Sequence, residues 1–446
     1  MGYAAIKRAI RYISGNIAIR DHIIILSVYS AGIRIRNQQK KLKSANSRPN
    51  IIVTGGGFFN KGGEAMTFVT IDLLKKKFPG KNIVLFVLPI DFDKSEGEKS
   101  KYGFTMLPWD FTNKFEILVG QSPFLVGKNR YKRHEKQIVN ALENAFLMVD
   151  ISGYALSSQW GWRKSVSYMI NVVLAGKYAL QHLILPQSIG PFEYERLYKT
   201  PIESLLKNFL GWPKKIYIRE DDGLKWIRPF THRNIEKHRD LVLQPHRINP
   251  LNIFKSHSAT DLREFSIAEN SMGVIPNQRV MERVREGEMM NAYRRLIALA
   301  LLRMERIYIV KHSNDDKDIC VKIKNLFASN DRVVLVVDDL NCLETENIIK
   351  QFRFVIASRY HSIVFAYKNA VPALVIGWAV KYRELLENFG QAQYFVDCRE
   401  SLEINVLEGK MNALLDSYPS ESEKIRDCFR KMGEENVLEE MLDQLT

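Results

Sequence analysis

Residues 51–57 read Ile-Ile-Val-Thr-Gly-Gly-Gly, so a run of β-branched side chains leads directly into three glycines. A helix-forming stretch follows at about residues 63–77, and a second apolar run follows at 83–88. Strand, glycine turn, helix and strand in this order are typical of a βαβ unit. This stretch therefore predicts a parallel sheet covered by helices.

The alternation of apolar runs and helix-forming stretches continues through most of the 446 residues. The apolar runs are short and lack polar alternation, as expected for parallel strands buried on both faces. A polar stretch at residues 231–271 interrupts the pattern, and we interpret it as a connector. Further strands are predicted at residues 147–151, 183–186, 215–218, 273–275, 306–310, 332–337, 354–357 and 373–376, and one of the helices at 135–146.

The pattern on either side of the connector predicts an α/β protein with two Rossmann-like domains that face a cleft. Ligands of open α/β sheets bind at the carboxyl ends of the strands, so the cleft is the expected site. The predicted regions are a basic N-terminal helical extension at residues 1–49, an N-terminal domain at 50–260, a C-terminal, donor-binding domain at 261–400 and a helical tail at 401–446.

The net charge of +15 is concentrated at the N-terminus, because residues 1–50 hold ten lysines and arginines and one acidic residue. The rest of the chain is only mildly basic, which argues against a nucleic-acid-binding protein. None of the four cysteines forms a C-x-x-C pair, and no cysteine or histidine cluster has the spacing of a zinc site. We therefore expect free thiols, no metal and a cytoplasmic location.

The N-terminal extension combines an apolar stripe with an apolar run. The run at residues 23–33 is too short to span a bilayer, which takes roughly 20 residues. One interpretation is a peripheral helix that lies on the inner face of the membrane against anionic lipid. The other, which we favour, is a helix packed on its own protein and followed by a solvated linker at 34–50. The stripe at helical spacing is formed by Tyr3, Ile6, Ile10, Ile13 and Ile17.

The glycine loop is the first candidate ligand site. It continues through Asn60 to Glu64, where a helix begins, and free N–H groups at a helix start suit an anion or a sugar hydroxyl. The loop lacks the Gly-Lys-Ser/Thr ending of a phosphate-binding P-loop. A tight turn without a ligand is the alternative interpretation.

Two arginines at predicted strand ends are the next candidates. Arg219 follows the strand at 215–218, and its guanidinium matches a carboxylate or a phosphate, although an ion pair with neighbouring acidic residues is the alternative. Arg359 and His361 follow the strand at 354–357 where a helix begins, which combines an anion site with a proton donor. A structural role is the alternative for His361.

Several further loops carry polar or aromatic side chains after strands. Lys381 follows the strand at 373–376, and residues 311–316 follow the strand at 306–310; for both we favour plain polar loops. The loops at 152–161 and 186–192 add aromatic side chains that suit the faces of sugars, although aromatic residues fill cores more often.

These segments, in this order, resemble the polysaccharide pyruvyl transferase family over about residues 51–390. The Arg-x-His-Ser block at 359–362 is the most specific of them. The blocks that carry the resemblance are the glycine loop with Asn60 and Glu64, Ser152-Gly153, Gln187-Ser188-Ile189-Gly190-Pro191, Ile218-Arg219-Glu220, Ser358-Arg359-Tyr360-His361-Ser362, and Ala370-Val371-Pro372 with Lys381.

The resemblance implies a fold similar to GT-B glycosyltransferases and the transfer of pyruvate from phosphoenolpyruvate to two hydroxyls of one sugar, as a cyclic ketal. It implies that Arg219 and Arg359 hold the phosphate and carboxylate of phosphoenolpyruvate, and that His361 is the catalytic acid or a phosphate partner. No cofactor is implied, because phosphoenolpyruvate is a co-substrate. The implied substrate-binding residues are Gly56, Gly57, Asn60, Glu64, Gln187, Ser188, Tyr360, Ser362 and Lys381, with Glu64 as the candidate base.

The sequence departs from the family pattern mainly on the sugar side. Gly63 takes the place of the acidic residue that usually precedes Glu64, and Glu220 stands where aspartate is frequent. The implied acceptor is the saccharide of a cell-surface polysaccharide. A lipid-linked acceptor would give the basic N-terminal helix a purpose.

Two other functions remain open. A nucleotide-sugar glycosyltransferase would use the same architecture with a nucleotide pocket in the C-terminal domain. A non-catalytic partner in an envelope-assembly complex would bind sugar or membrane without releasing phosphate. The fold does not decide among them, because function lies in the site.

Overall fold

The computed structural model describes residues 17–38, 48–244, 246–255, 262–399, 402–432, 439, 440 and 442 of the chain. Two parallel sheets organise these residues, one in each half. The strands of the first sheet are β1 (Asn50–Thr54), β2 (Asn82–Val87), β3 (Thr105–Pro108), β4 (Ala145–Asp150), β5 (Gln181–Gln187), β6 (Lys215–Ile218) and β7 (Ile235–Lys237). The strands of the second sheet are β8 (Ser271–Ile275), β9 (Arg306–Val310), β10 (Val333–Val336), β11 (Val355–Ala357), β12 (Ala373–Gly377) and β13 (Phe395–Asp397).

Both sheets have the strand order of a Rossmann fold. The first is ordered β3-β2-β1-β4-β5-β6-β7 and the second β10-β9-β8-β11-β12-β13, with every pair parallel. The order reverses between β1 and β4 in the first sheet and between β8 and β11 in the second. The loops that follow these four strands are therefore the expected ligand-binding loops.

Helices cover both faces of each sheet. Those of the first half are α1 (Ile17–Asn37), α2 (Lys61–Lys77), α3 (Pro89–Phe92), α4 (Glu96–Ser100), α5 (Phe111–Val119), α6 (Pro123–Val126), α7 (Glu135–Glu143), α8 (Trp162–Lys177), α9 (Arg196–Phe209) and α10 (Asp221–Ile227). The remaining helices are α11 (Pro250–Ile253), α12 (Gln278–Met281), α13 (Glu286–Leu301), α14 (Lys317–Asn325), α15 (Cys342–Ile349), α16 (Tyr360–Lys368), α17 (Val380–Asn388) and α18 (Ile404–Lys431).

The two halves share one apolar core. A single cluster of buried side chains includes Val53 and Leu85 from the first sheet and Val355 and Phe365 from the second half. Two further clusters lie on the outer faces of the sheets, one in each half. The halves are therefore joined by packed apolar surface as well as by the chain itself.

The predicted architecture of two Rossmann-like halves is confirmed, but three strands were missing from the prediction. All three lie at a sheet edge: β3 and β7 in the first sheet and β13 in the second. An edge strand pairs on one side only and needs less apolar sequence, and β7 has the single apolar residue Ile235. The sequence of β7 therefore lacks the apolar run that marks a central strand, and the apolar stretches of β3 and β13 are only three and two residues long.

One predicted helix boundary is wrong. The helix expected at residues 135–146 ends at Glu143, and Ala145 and Phe146 belong to β4. Asn144 ends the helix, and its side-chain amide donates a hydrogen bond to the carbonyl of Asn140 at 2.9 Å. Because the strand starts one residue after this cap, its first apolar side chains continue the helical pattern of the sequence.

The N-terminal helix α1 packs on the first half. Ile24, Ile25 and Val28 are buried against the outer apolar cluster, and Gly32 lies so close to the Phe209 ring that a Cβ would approach it to 2.4 Å. The packed interpretation is therefore confirmed for this helix, which continues to residue 37 into the predicted linker. The stripe residues Tyr3 to Ile13 lie outside the described residues. Within the described part of the chain, no helix is long and apolar enough to cross a bilayer.

The polar stretch at 231–271 is more than a connector. Its residues Leu241, Val242 and Leu243 form a 3₁₀ turn that is buried in the core shared by the two halves. The preceding residue, Asp240, is also buried. The stretch therefore places a carboxylate between the sheets, while the tail helix α18 packs back on the second half as predicted.

Candidate active site

Four loops meet in the cleft between the sheets. β1 and β4 lead into the glycine loop and the 151–161 loop, and β8 and β11 lead into residues 276–283 and 358–361. All four loops line one cavity of about 590 Å³. The cleft predicted from the sequence is therefore present, at the points where the strand order of each sheet reverses.

The glycine loop packs against its neighbours too closely for side chains. Gly55 has a φ of +80°, and a Cβ there would lie 2.2 Å from Ser152 Oγ. A Cβ on Gly57 would lie 2.5 Å from Oδ2 of Asp91, which accepts a hydrogen bond from the Phe58 N–H at 3.0 Å. The loop therefore presents backbone to the cleft.

The same loop is bonded to the second half of the molecule. Asn60 caps α2, because its Oδ1 accepts a hydrogen bond from the Gly63 N–H at 2.8 Å, and it pairs with Ser313 in an antiparallel bridge. The Lys61 N–H donates to the His312 carbonyl at 3.3 Å. Main-chain contacts between the halves therefore form the floor of the cleft.

His361 stands where α16 begins and lines the cavity. A Cβ on Gly62 would lie 2.1 Å from His361 Nδ1, so the ring fits because residue 62 has no side chain. The other ring nitrogen, Nε2, lies 3.5 Å from Oδ2 of Asp240. The histidine is thus held between the start of α2 and a carboxylate that the first half supplies.

Asp240 joins His361 to Arg219. Its Oδ2 accepts a hydrogen bond from Arg219 Nη1 at 2.5 Å, and its Oδ1 accepts one from the Val242 N–H at 2.9 Å. Burial alone would raise the pKa of Asp240, but the charges of His361 and Arg219 outweigh it and lower that pKa. Asp240 is therefore an anion, suitably placed to stabilise a positive charge on the imidazole.

Arg219 is largely engaged by protein groups. Its Nη2 donates to the Gly153 carbonyl at 2.9 Å and to Ser188 Oγ at 2.6 Å, and its guanidinium lies 4.9 Å from the centre of the Tyr360 ring. The ion pair that the sequence allowed is present. Its closer partner is Asp240, since the adjacent Glu220 lies 3.6 Å from Nε.

Arg359 is also paired with a buried carboxylate. Its Nε and Nη2 donate to the two oxygens of Asp316 at 2.8 and 2.5 Å. Asp316 accepts further hydrogen bonds from the N–H groups of Gln278 and Ser313, both at 3.0 Å. Both arginines expected to hold the donor are therefore partly neutralised, although Nη1 of Arg359 bonds to no residue that the structure describes.

Lys381 differs from the two arginines, which are paired with carboxylates. Its Nζ lies 5.0, 5.2 and 5.8 Å from the ring centres of Tyr154, Tyr360 and Tyr382, and it has no acidic partner within 4 Å among the described residues. Burial, and next the charge of Arg219, lower the pKa of Lys381 to about 8. Its ammonium group is therefore available to an anionic ligand.

Aromatic side chains form one wall of the cavity. Trp160 is 47% exposed, and its ring meets the Tyr154 ring edge to face at 5.5 Å. The Tyr154 hydroxyl lies 2.9 Å from the Gly190 carbonyl, which fixes the ring in place. Trp378 faces the same cavity from the second half. An exposed, fixed aromatic surface beside polar groups suits the apolar face of a sugar.

The structure brings together most of the predicted site residues but not Glu64. Glu64 is buried and pairs with Lys61 at 3.1 Å, and burial raises its pKa. It does not line the cavity. The predicted residues that do line it are Gly56, Gly57, Asn60, Arg219, Arg359, Tyr360, His361 and Lys381.

Three other predicted binding residues lie behind the cavity wall. Gln187 is fully buried, with its amide 3.5 Å from Asp150. Ser188 donates to Glu220 at 2.7 Å, and Ser362 Oγ donates to the carbonyl of Arg359 at 2.6 Å. In this structure they support the residues of the wall, and direct binding by them stays a prediction.

Several residues of the site were missed or undervalued in the sequence. Asp240 lies in the stretch interpreted as a connector, and the buried Leu-Val-Leu that follows it was the available signal. Asp91 follows β2 and was not singled out. His312 belongs to the loop at 311–316, for which the sequence favours a plain polar role, yet it is buried and lines the cavity.

Comparison with known proteins gives a family match over most of the chain. The model of the family described as polysaccharide pyruvyl transferase matches residues 60–379. The amylovoran biosynthesis protein AmsJ of Erwinia amylovora is 21% identical over 130 residues. That match spans 29% of this chain and 30% of the length of AmsJ.

Solved structures share the fold. The UDP-GlcNAc 2-epimerase of Methanocaldococcus jannaschii superimposes with a TM-score of 0.51 and 11% identity, over 82% of this chain and 93% of that one. Alr3699/HepE of Anabaena, solved in complex with UDP-glucose, gives 0.50 and 10% over 89% and 98%. These similarities confirm the predicted GT-B-like fold and leave the chemistry to the site.

Proposed function

The chain belongs to the polysaccharide pyruvyl transferase family, and we propose that it transfers the pyruvyl group of phosphoenolpyruvate to two hydroxyls of one sugar, as a cyclic ketal. The Arg359-Tyr360-His361 segment carries the proposal, because it faces the glycine loop across the cleft. An acid beside cations suits a donor with a phosphate, a carboxylate and a carbon that must be protonated.

The reaction begins with a proton on the methylene carbon of phosphoenolpyruvate, which makes C2 an oxocarbenium-like electrophile. One sugar hydroxyl bonds to C2, the bond from C2 to the phosphate oxygen breaks, and a second hydroxyl closes the ring. Of the two hydroxyl protons, one restores the acid and the other leaves with inorganic phosphate. The protein must therefore supply an acid, cations for the departing phosphate and a base.

His361 is the acid in this mechanism. Its ring lies in the cleft, and the buried carboxylate of Asp240 stands 3.5 Å behind it. A carboxylate behind an imidazole orients the ring and stabilises its protonated form. Arg219 and the Val242 N–H hold Asp240, so Arg219 is a positioning residue that acts through the carboxylate.

Lys381 and the free Nη1 of Arg359 bind the anionic groups of the donor in this mechanism. Lys381 has no acidic partner within 4 Å among the described residues, whereas the rest of the Arg359 guanidinium is bound to Asp316. A positively charged wall stabilises the charge that develops on the leaving phosphate.

Asp91 takes the role of base that the sequence suggested for Glu64. It is buried beside the glycine loop and lines the cavity, and its Oδ1 accepts no hydrogen bond from the described residues. Lys94 lies 3.5 Å from the same oxygen. A carboxylate beside the glycine loop suits the removal of a hydroxyl proton.

The acceptor lies against Trp160 and Tyr154 in this proposal. It is the saccharide of a cell-surface polysaccharide under assembly, in accord with the similarity to an amylovoran biosynthesis protein. Leu88 and Ile90 are exposed and line the same cavity. They offer apolar contacts to a lipid carrier of that saccharide.

The test is thermal unfolding with phosphoenolpyruvate, UDP or GDP, because a ligand that binds the folded state raises its stability. We expect phosphoenolpyruvate alone to raise the midpoint. The rise should vanish in Lys381→Met and persist in Lys225→Met, which changes an exposed lysine. A rise with a nucleotide and none with phosphoenolpyruvate would replace the proposal with a glycosyltransferase.

A further inference from the structure

His312 is a second histidine of the cleft, and its ring nitrogens have no hydrogen-bond partner among the described residues. The residue follows β9, is 2% exposed and lines the cavity. Neither Nδ1 nor Nε2 makes a hydrogen bond to any residue that the structure describes. A buried N–H without a partner is rare in folded proteins, and where the residue also lines a cavity it points to a ligand of that cavity.

The surroundings of His312 keep its ring uncharged. Burial first, and then the charges of Arg359, His361 and Lys61, lower its pKa well below the ordinary value for histidine. Among the described residues, no carboxylate is paired with this ring as Asp240 is with that of His361, since Asp316 is bound by Arg359. The two histidines of the site thus have opposite surroundings, which separates their roles.

The backbone fixes where the His312 ring lies. Its carbonyl accepts the Lys61 N–H at 3.3 Å, and the next residue, Ser313, pairs with Asn60 across the two halves. The ring packs 5.8 Å from that of Phe365. His312 therefore lies at the floor of the cleft, where hydrogen bonds between the two halves fix its main chain.

We propose that His312 binds the donor directly, by giving a hydrogen bond from its neutral imidazole to an anionic oxygen of phosphoenolpyruvate. The inference rests on the proposed function and adds a residue to the donor site. Cations around the ring attract an anion to the floor of the cleft. The N–H of an uncharged imidazole can then donate a hydrogen bond to that anion. The oxygen belongs to the phosphate or to the carboxylate of the donor.

Calorimetry of the full-length protein tests the inference with three probes: phosphoenolpyruvate, inorganic phosphate and pyruvate. In His312→Phe we expect phosphoenolpyruvate to bind at least about tenfold more weakly, as for a lost hydrogen bond to a charged group. His312→Gln retains an N–H donor and should recover part of the loss. Weaker binding of phosphate alone would assign the contact to the phosphate, and weaker binding of pyruvate alone to the carboxylate.

His182→Phe is the matched control. His182 is also buried with both ring nitrogens unpartnered, but it lies in β5 and does not line the cleft. It should bind phosphoenolpyruvate like the wild type. Equal weakening in the two variants would mean that loss of a buried histidine acts through the fold, and the inference would be wrong.

Nuclear magnetic resonance of protein labelled with ¹⁵N-histidine gives a second readout. The His312 ring should keep the signature of a neutral imidazole from about pH 5.5 to 8, the range in which free histidine titrates, and shift when phosphoenolpyruvate is added. Protonation in this range would overturn the inference. Unchanged donor binding in His312→Phe overturns it alone, whereas a wild-type protein that binds no phosphoenolpyruvate overturns the proposed function as well.

Discussion

Lys381 makes donor binding depend on pH. Its pKa is lowered to about 8, so the side chain is charged below that pH and neutral above it. An anionic donor prefers the ammonium form, and kcat/KM for phosphoenolpyruvate should therefore fall as the pH rises through about 8. The pH profile of initial rates measures this. In Lys381→Arg the fall should be absent, because arginine stays charged.

Gly62 and Gly63 give a matched pair at the start of α2. A Cβ on Gly62 would lie 2.1 Å from His361 Nδ1, whereas the nearest atoms to a Cβ on Gly63 are 3.6 Å away. Gly62→Ala should displace the imidazole and lower kcat by roughly a hundredfold or more, the usual contribution of a general acid. Gly63→Ala should keep most of its activity, and equal rates in the two variants would contradict this packing.

Asp240 should matter for both stability and rate. Asp240→Asn removes the charge that neutralises Arg219 and faces His361. A buried charge without its partner lowers the free energy of unfolding by about 3–5 kcal/mol, which urea titration measures. The variant should also have a lower kcat, because the carboxylate that faces and orients the imidazole is lost. An unchanged kcat in a folded variant would exclude Asp240 from the mechanism.

The sequence identified the cationic members of the site more readily than their partners. Arg359 and His361 stand at a strand end, which local patterns reveal. Their carboxylate partners, Asp316 and Asp240, lie 43 residues away in one case and on the opposite side of the cleft in the other. Such pairings arise from tertiary structure, so no local pattern in the sequence predicts them.

At the scale of elements, helix α1 is a part of the first half. Ile25 is fully buried, whereas its neighbour Leu26 is 54% exposed. Ile25→Ala should lower the free energy of unfolding by about 2–5 kcal/mol, as for a large side chain lost from a core. Leu26→Ala should change it by less than about 0.5 kcal/mol. Equal effects in urea titration would show that the helix does not pack as described.

The periodicity of the sequence predicts the central strands but not all of the edge strands. Central strands such as β4 are buried along their whole length and appear as apolar runs. Edge strands such as β3 and β7 are defined by their pairing with a neighbouring strand, and no local feature of the sequence shows that pairing. The fold class was therefore predictable, while the full strand count was not.

At the scale of the whole molecule, the shared core predicts cooperative unfolding. Buried side chains from both sheets form one apolar cluster, and the glycine loop is bonded to residues after β9. Scanning calorimetry should show one transition whose calorimetric and van't Hoff enthalpies agree. Two resolved transitions would mean that the halves unfold separately despite their contact.

The placement of Asp240 and His361 on opposite sides of the cleft has a consequence for biosynthesis. A ribosome adds Asp240 about 120 residues before it adds His361, and the interval takes several seconds at typical elongation rates. During that time the growing chain contains Asp240 but lacks His361, the proposed catalytic acid. Under the proposed mechanism, catalysis begins only when translation has delivered both halves, so an unfinished or truncated chain leaves the cell's phosphoenolpyruvate untouched.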